Sequence, residues 1–474
     1  MMIYYKMFVA GEWVTSEKYT KVINPYNGEE LGMLPHAYPS MIETALADAY
    51  AHRPDMAELP IHKRAEILEN AARILKREKE NMIRSIVLES GKTRKWATVE
   101  VTRGIENLKF AAEACKNIHG ETVPMDASVG SEGRLGFWMR VPVGVVAAIP
   151  PFNFPLNLVI HKVAPAIAAG NTVVLKPASN TPGPSQLLVK ILLEAGLPFH
   201  AIQLLYGNGS TVGAALVEDE RVAKVTFTGS PPVGRYISSK SGLKMLTLEL
   251  GSNSGTIVDE SADLDTAIPR IVMGSFAFSG QVCISVQRIF VHQHLMDGFT
   301  RRFVEATRAL TMGNPMEDQT DIGPMISEQE AMRVEKWVQE ACAAGAHLLC
   351  GGKRHGSVME PTVLTDVRPD MAVMCREVFG PVVSIIPFRT FDHAIDLVND
   401  SVFGLQAGVF TQHYPHIMQA IKKIDVGGVM INDVPTYRVD QMPYGGVKES
   451  GLGREGARFA IEEMTHIKMI MLNG

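Results

Sequence analysis

The chain has few of the features that mark secreted, membrane or metal-rich proteins. Its cysteines number 5 in 474 residues, an odd and scattered set that predicts neither a disulfide framework nor a structural zinc site. No apolar run reaches the roughly 20 residues of a membrane span, and the N-terminus lacks the apolar region and cleavage site of a signal peptide. We therefore expect a cytoplasmic protein without membrane contact, and nothing in the sequence signals a bound metal.

A strong excess of charge of one sign is also missing. The formal net charge is −5 at pH 7, which gives no electrostatic reason to expect nucleic acid as a partner. Apolar residues make up 46% of the chain and charged residues 20%, an ordinary globular balance. A chain of 474 residues is too long for one compact core, so we expect at least two domains.

Helical periodicity marks residues 60–115, where apolar residues recur at steps of three and four. Inside this segment, Ser90-Gly91-Lys92-Thr93 is similar to the end of a phosphate-binding loop. The earlier glycine of that motif is absent, because Ile86 holds its place, so we interpret the stretch as a helix break. Further helices are predicted at residues 296–310 and 328–344.

Strands alternate with helices over residues 143–259, and a second alternating region begins at Ile271. Such alternation predicts an α/β fold with a parallel, doubly wound sheet, whose ligands bind beyond the carboxyl ends of the strands. The polar, Gly-rich stretch 124–138 predicts either an arm that joins subunits or a plain surface hairpin. Strands are predicted at residues 143–149, 172–175, 203–205, 222–227, 245–248, 256–258 and 382–387, with a last one within 459–472.

Three turns after predicted strands carry glycine, serine or lysine. The segment 207–213 nearly matches the dinucleotide fingerprint, although its last glycine lies one place late; a plain Gly-rich turn is the alternative. Ser230 is suited to cap a helix that opens with two prolines, and the free amides of such a terminus suit a pyrophosphate. Lys176 places a cation after a strand, or is only a surface lysine. Together, on one sheet edge, the three turns favour a bound dinucleotide.

Cys283, Asn153 and Glu249 bring a thiol, an amide and a carboxylate into loops marked by Gly or Pro. Covalent chemistry on a carbonyl needs these groups, since a thiol attacks, an amide donates to the developing oxyanion and a carboxylate activates water. A lone cysteine is most often a buried, inert thiol, and we keep that interpretation for the other four. The combination predicts a reactive thiol at Cys283.

Seven short motifs follow one another as in the aldehyde dehydrogenase superfamily, which the chain resembles over essentially its whole length. They are Pro151-Phe152-Asn153-Phe154-Pro155, Leu175-Lys176-Pro177-Ala178, Phe227-Thr228-Gly229-Ser230, Leu248-Glu249-Leu250-Gly251, Gly280-Gln281-Val282-Cys283, Glu377-Val378-Phe379-Gly380-Pro381 and Pro443-Tyr444-Gly445-Gly446.

The resemblance implies a three-part architecture. A Rossmann-like parallel-sheet domain that binds NAD or NADP would comprise residues 1–118 and 138–249, and an α/β catalytic domain residues 250–449. A β-arm of residues 119–137 and 450–474 would join subunits into homodimers or homotetramers.

The resemblance also implies a non-acylating oxidation of an aldehyde to its carboxylate. Cys283 resembles the nucleophile that forms a thiohemiacetal, from which hydride passes to the nicotinamide. The Asn153 side chain and the Cys283 backbone amide would form the oxyanion hole. Glu249 resembles the base that activates water to hydrolyse the thioester, and Glu455 resembles a carboxylate that positions this base or relays its proton.

Cofactor contacts follow from the same motifs. Lys176 and Glu377 resemble ribose contacts, and Phe379 a contact near the nicotinamide ribose. Ser179 stands where some members carry a glutamate that binds the adenosine ribose and repels a 2′-phosphate; serine removes that repulsion, so NADP is admissible as well as NAD. The expected cofactor residues are Ile149, Pro151, Phe152, Lys176, Ala178, Ser179, Gly209, Gly213, Phe227, Thr228, Gly229, Ser230, Val233, Leu250, Glu377 and Phe379.

The stretch 435–446 covers the family's aldehyde-pocket loop and resembles the lactaldehyde, phosphonoacetaldehyde and succinate-semialdehyde dehydrogenase types. Arg438 would pair with an anionic head group, since guanidinium suits carboxylate, phosphonate and sulfonate oxygens. Arg103 and His161 are further donor candidates; a surface salt bridge and a packed core histidine are the alternatives. Val282 replaces an arginine of the phosphonoacetaldehyde type, which disfavours a phosphonate. We expect a small anionic or hydroxylated aldehyde, such as a semialdehyde, a lactaldehyde or a sulfonated aldehyde.

Other functions stay open on the sequence alone. A CoA-acylating aldehyde dehydrogenase would typically lack the general base, so Glu249 argues against it. A Cys-dependent hydrolase would need a histidine partner, and none lies near Cys283 in the sequence. A broad-range aliphatic aldehyde dehydrogenase and a binding protein with a relict site are the remaining alternatives.

Overall fold

The computed structural model describes residues 2–473, which are built around two large sheets flanked by helices. The β-strands are Ile3–Tyr4 (β1), Met7–Val9 (β2), Glu12–Val14 (β3), Tyr19–Ile23 (β4), Glu30–Pro35 (β5), Glu121–Val123 (β6), Arg134–Pro142 (β7), Val145–Ile149 (β8), Thr172–Leu175 (β9), Ile202–Leu204 (β10), Val222–Thr228 (β11), Met245–Glu249 (β12), Gly255–Val258 (β13), Arg288–His292 (β14), His347–Cys350 (β15), Arg354–His355 (β16), Val358–Met359 (β17), Thr362–Thr365 (β18), Val382–Phe388 (β19), Phe403–Gly404 (β20), Gln406–Phe410 (β21), Gly428–Ile431 (β22), Val447–Lys448 (β23), Gly451–Leu452 (β24) and Thr465–Asn473 (β25).

The α-helices lie mostly between the strands. They are Pro39–Ala51 (α1), Arg53–Glu58 (α2), Ile61–Arg77 (α3), Lys79–Ser90 (α4), Arg94–Lys116 (α5), Asn157–Ala169 (α6), Pro182–Glu194 (α7), Ala214–Glu218 (α8), Pro231–Lys240 (α9), Leu264–Phe276 (α10), Met296–Arg308 (α11), Glu328–Ala343 (α12), Ala372–Cys375 (α13), Phe391–Asn399 (α14), Tyr414–Lys423 (α15) and Ala457–Glu463 (α16). None of the helices in residues 2–473 is both long and apolar enough to cross a membrane.

The first large sheet has eight strands in the order β24-β12-β11-β8-β9-β10-β2-β3, and its five central strands are parallel. β8 and β9 are buried throughout, as their unbroken apolar runs predict for strands covered on both faces. The predicted parallel sheet is confirmed. Its first strand begins later than predicted, because Gly144 has φ of 118° and separates β7 from β8.

The second large sheet has seven strands in the order β15-β18-β19-β14-β13-β21-β22, all parallel except β15. Cys283 precedes β14, so it lies at the amino edge of this sheet. Glu249 ends β12 and therefore lies at the carboxyl edge of the first sheet. The two edges thus supply the groups that the sequence singles out.

The predicted helix break at residues 90–93 is confirmed. α4 ends at Ser90, and Gly91 follows in a left-handed conformation with φ of 72°. Lys92 is fully buried and pairs with Glu100 of α5, while its ammonium lies 3.7 Å from the centre of the Phe154 ring. A lysine held in this way has a structural partner and does not belong to a phosphate loop.

A separate three-stranded sheet joins β6, β7 and β25. β7 and β25 pair over nine residues, from Pro142 opposite Thr465 to Arg134 opposite Asn473. Apolar side chains on both strands are about half exposed, including Leu135, Met139 and Ile467. The domain boundaries and the joining role of this sheet, which we call the arm sheet, stay predictions.

Candidate functional site

Two cavities meet at Cys283. A cavity of about 870 Å³ lies between the carboxyl edge of the first sheet and the amino edge of the second. A cavity of about 80 Å³ lies on the other side, lined by α5, α6 and the loop that follows β22. Cys283 is the one described residue that lines both. Its thiol therefore lies where the contents of the two cavities would touch.

The loop before Cys283 is set by close backbone packing. Phe278, Ser279 and Gly280 have φ of 48°, 54° and 72°, so three successive residues are left-handed. A Cβ on Gly280 would lie 2.1 Å from the carbonyl oxygen of Gly380. Only glycine permits this approach. The contact brings the loop of Cys283 against the loop that carries Glu377.

The Cys283 residue is partly buried. Its Sγ lies 3.0 Å from the hydroxyl of Tyr444. Burial raises the pKa of the thiol to about 12, while the hydrogen bond from Tyr444 and the positive charge of Arg438 act in the opposite direction. The thiol is therefore largely protonated at neutral pH until another charge or base acts on it.

Asn153 lies beside this thiol loop. Its Nδ2 donates to the backbone carbonyl of Gln281 at 2.9 Å, and its Oδ1 is buried without a partner among the described residues. The amide nitrogen carries two hydrogens, so one stays available to an oxygen in the site. Asn153 is far from Cys283 in the sequence, but it contacts the backbone two residues before this cysteine. This position fits a donor to an oxyanion.

Glu249 is buried, and neither of its oxygens has a hydrogen-bond partner among residues 2–473. Burial, together with the nearby charge of Glu455, raises its pKa well above the usual range. Burial also acts on Glu455, but Lys162 at 2.8 Å and Arg438 at 2.9 Å outweigh it and hold the pKa of Glu455 low. The environment thus gives the two carboxyl groups different pKa values: Glu455 stays ionised, and Glu249 has a raised proton affinity.

The larger cavity gathers nearly all the residues expected to contact a cofactor. Ser179 is the exception, since it does not line this cavity. Glu330 and Arg333 of α12 line it as well and were not predicted, because a helix far along the chain gives no local signal. The expected residues that line it are Ile149, Pro151, Phe152, Lys176, Ala178, Gly209, Gly213, Phe227, Thr228, Gly229, Ser230, Val233, Leu250, Glu377 and Phe379.

Polar groups in the larger cavity have few partners within the protein, although Glu377 accepts a hydrogen bond from the Ser252 amide at 2.9 Å. The Lys176 ammonium is buried, its one hydrogen bond goes to the carbonyl of Pro177, and burial lowers its pKa to about 8. The hydroxyl of Thr228 is buried without a partner among the described residues. Burial raises the pKa of Glu377 to about 7. Donors and acceptors of this kind, in a cavity of this volume, fit the hydroxyls and phosphates of a dinucleotide.

Arg438 lines the smaller cavity, as its position in the pocket loop predicts. Its Nη2 donates to Glu455 at 2.9 Å, and its guanidinium lies 3.6 Å from the centre of the Tyr444 ring. Nε and Nη1 make no hydrogen bond to any residue in 2–473, yet they are not among the fully enclosed polar atoms. Arg438 therefore uses Nη2 for contacts within the protein, while Nε and Nη1 remain available to a ligand.

Asp440 was not predicted, although it organises the rest of this wall. Its buried carboxylate accepts two hydrogen bonds from Arg103, at 2.7 and 3.2 Å, and one from Asn157 at 2.9 Å. The Nε2 of His161 lies 2.9 Å from the same carboxylate. Burial opposes ionisation, but His161 and Arg103 hold the pKa of Asp440 well below its usual range.

The two other donor candidates differ in their access to the smaller cavity. Arg103 lines it, and 26% of its side chain is exposed. His161 lines neither cavity, is almost fully buried and contacts both Asp440 and Arg438. This is the packed-histidine alternative, so His161 acts on the cavity only through its neighbours.

Comparison with known proteins gives one consistent result. The sequence profile described as the aldehyde dehydrogenase family matches residues 13–470. The 3-sulfolactaldehyde dehydrogenase of Priestia aryabhattai is 47% identical over 469 residues, which cover 99% of this chain and 98% of the relative.

Solved structures agree with the sequence match. Aldehyde dehydrogenase 21 of Physcomitrella patens, in complex with the reaction product succinate, has a TM-score of 0.98 at 40% identity and covers 100% of this chain and 99% of its own. The glyceraldehyde-3-phosphate dehydrogenase of Methanocaldococcus jannaschii, complexed with NADP, has a TM-score of 0.93 at 40% identity and covers 97% and 100%.

The raised pKa of the Cys283 thiol predicts how its rate of alkylation depends on pH. A thiol with an ordinary pKa near 8.5 would be about three-quarters ionised at pH 9 and would approach a constant alkylation rate by about pH 9.5. Because burial raises the pKa of Cys283, we expect its rate of alkylation by iodoacetamide, in the protein alone, to keep rising to about pH 10. Peptide mass spectrometry measures the rate at this cysteine. Tyr444→Phe should slow the reaction at each pH, since it removes a hydrogen bond that favours the thiolate; a plateau by about pH 9.5 would contradict the assignment.

Proposed function

This chain belongs to the aldehyde dehydrogenase family, and we propose that it oxidises a small anionic aldehyde to its carboxylate, with NAD or NADP as the hydride acceptor. One observation carries this proposal: Cys283 lies at the junction of a cavity suited to a dinucleotide and a small cavity walled by two arginines. An aldehyde bound covalently to Sγ would thereby face the larger cavity on one side and the arginines on the other.

The first step adds Cys283 Sγ to the aldehyde carbon. The new C–S bond places negative charge on the former carbonyl oxygen, where the free N–H of Asn153 donates a hydrogen bond. The thiol must lose its proton for this addition, and the Tyr444 hydroxyl and the Arg438 charge both favour the thiolate. Asn153, Tyr444 and Arg438 would thus prepare the nucleophile and hold the oxyanion.

Bound NAD or NADP supplies the hydride acceptor, and the larger cavity fits either group. We propose that Lys176 and Glu377 bind ribose hydroxyls and that Thr228, whose hydroxyl lacks a partner within residues 2–473, donates to a further oxygen. Ser179 carries no carboxylate that would repel a 2′-phosphate, although it does not line the cavity. The site therefore supports both cofactors.

Glu249 would complete the reaction by taking a proton from water as the water attacks the thioester. Burial and the charge of Glu455 raise the pKa of Glu249, which makes it a stronger base than an exposed glutamate. Glu455 keeps its charge because Lys162 and Arg438 flank it. We propose that Glu455 acts on catalysis by raising the proton affinity of Glu249.

Replacing the base should separate the two halves of the reaction. We expect Glu249→Gln to release about one equivalent of reduced cofactor per active site in a rapid burst and then to turn over roughly 100-fold or more slowly, because hydrolysis of the thioester lacks its base. Stopped-flow absorbance measures the burst, and intact mass spectrometry detects the acyl enzyme. Cys283→Ser should show neither. Wild-type turnover by Glu249→Gln would refute the assignment.

The proposal that the substrate is an anion rests on Arg438. Arg438 and Arg103 both line the smaller cavity, and Nε and Nη1 of Arg438 have no partner among the described residues. Guanidinium binds carboxylate or sulfonate oxygens through paired hydrogen bonds. The relatives point the same way, since one acts on 3-sulfolactaldehyde and another is solved with succinate. We propose a small aldehyde with a carboxylate or sulfonate head group as the substrate class.

Selectivity for an anion should depend on this arginine. We expect Arg438→Met to lower kcat/KM for an acidic aldehyde about 10- to 100-fold more than for a neutral aldehyde of equal length, because a charge-assisted hydrogen bond contributes about 1.5–3 kcal/mol. The ratio of the two constants is the readout, since Arg438 also acts on Cys283 and Glu455. The exposed Arg302→Met is the matched control.

The same assay, run with NAD and NADP in parallel, distinguishes the alternatives. An unchanged ratio in Arg438→Met, with comparable rates on neutral aldehydes in the wild type, would make this a broad-range aliphatic enzyme. Product that forms only with coenzyme A would indicate the acylating type. Hydrolytic turnover without any dinucleotide would indicate a hydrolase.

We propose that the arm sheet joins two or four copies of the chain. β25 exposes apolar side chains along its length, Ile467 at 61% and Met469 at 47%, and exposed apolar area of this kind favours association. The cytoplasmic location stays a prediction from the cysteine content.

Charge introduced on the arm should dissociate the assembly. We expect the wild type to have twice or four times the chain mass of 51.9 kDa by light scattering, and Ile467→Glu/Met469→Glu to have a smaller mass. The exposed Leu243→Glu, away from the arm, should keep the wild-type mass. A wild type that is monomeric at micromolar concentration would exclude this role.

A further inference from the structure

A second group of chemically active side chains lies at the carboxyl edge of the seven-stranded sheet, on the far side from Cys283. Asp259 follows β13, and His413 and His416 flank the start of α15, which follows the neighbouring strand β21. We propose that Asp259, His413 and His416 bind a divalent transition-metal ion of the Zn²⁺ type. This site is independent of the aldehyde chemistry proposed above.

The distances between the three potential ligand atoms suit one small ion. Asp259 Oδ2 lies 2.9 Å from His416 Nδ1 and 3.7 Å from His413 Nδ1. All three ligand atoms lie within 4.8 Å of one another. Ligands about 2.1 Å from a tetrahedral zinc ion are separated by roughly 3.4 Å, so the observed distances bracket the required value.

The orientation of the rings distinguishes this group from another Asp-His-His group in the chain. A metal ion must lie near the plane of each imidazole that binds it. The rings of His413 and His416 are inclined at 65°, so their planes intersect and an ion can lie in both. His52 and His200, beside Asp48, are stacked with centroids 3.9 Å apart and an angle of only 9°. Parallel planes leave no common position for an ion.

The surroundings hold two of the three ligands in place before any ion binds. Asp259 is almost fully buried, and its Oδ2 accepts hydrogen bonds from Thr411 at 2.6 Å and Ser261 at 3.2 Å. The His416 ring is stacked on Phe391, with centroids 4.2 Å apart and an angle of 4°. Such supporting contacts orient ligands and strengthen metal binding.

The group is open to solvent and offers ligand atoms that zinc accepts. The side chain of His413 is 46% exposed, so an ion can reach the site from solvent. Two imidazoles and one carboxylate are a donor set that zinc accepts, with water in the fourth position. The proton that His416 now shares with Asp259 would be released when the ion binds. The bound ion would tie the first turn of α15 to the ends of β13 and β21.

Zinc titration of the full-length chain tests the proposal. The protein carries Cys283→Ser, so that the reactive thiol does not capture metal, and competes for Zn²⁺ with a chromogenic chelator. We expect one zinc ion per chain and at least tenfold weaker binding in His416→Gln and in Asp259→Asn. Co²⁺ should give the strong visible absorption of a four-coordinate complex, and His413→Gln should change that spectrum.

One further variant and a test of folding sharpen the result. His52→Gln removes a ligand from the group with parallel rings and should leave zinc binding unchanged. Circular dichroism without metal confirms that each variant is folded, and His416→Gln keeps a side chain of similar size if Asp259→Asn does not fold. The proposal is overturned if the Cys283→Ser protein does not bind a stoichiometric amount of zinc. It is also overturned if zinc binding persists in His416→Gln, or if zinc binding is lost in His52→Gln instead.

Discussion

Balance among buried charges is the constraint on which the site depends. Glu249 and Glu455 are both buried, and the cations Lys162 and Arg438 pair directly with Glu455. Buried charges are costly to leave unpaired, so Glu455 takes both cations and remains ionised while Glu249 has none. The reactivity assigned to Glu249 is thus a consequence of where the cations lie, and Arg438 links that balance to the wall of the small cavity.

A third buried carboxylate, that of Asp440, plays a comparable part and is linked to Arg438 through His161. Asp440 contacts Arg103, Asn157 and His161, which come from α5 and α6. Because His161 also contacts Arg438, the two acidic centres are connected through one imidazole. The shape and charge of the small cavity are therefore properties of a network that spans two helices and one loop.

Much of the fold and the chemistry was predictable from the sequence, for physical reasons that differ from residue to residue. β9 was predicted at its observed bounds because Thr172 to Leu175, a β-branched residue followed by three apolar ones, have no helical period. The three reactive groups and the glycine turns carry local motifs. Asp440 carries none, since its partners Arg103, Asn157 and His161 lie far away in the sequence. Glu330 and Arg333 carry none because only the fold brings their helix to the larger cavity. His161 shows the same limit in reverse, because nothing local tells a buried histidine from a cavity-lining one.

The contact between Gly280 and Gly380 restricts how enzymes of this design can diverge. A methyl group on Gly280 would overlap the Gly380 carbonyl, and one on Gly380 would lie 2.8 Å from a Val334 methyl. Neither glycine can therefore accept a side chain without a shift of its neighbour, so variation at these two positions is closed as a route to new substrates. Trp96 and Val99 of α5 line the small cavity and take no part in the charged network around Arg438. An alteration in substrate range would thus begin on α5 and leave the reactive centre unaltered.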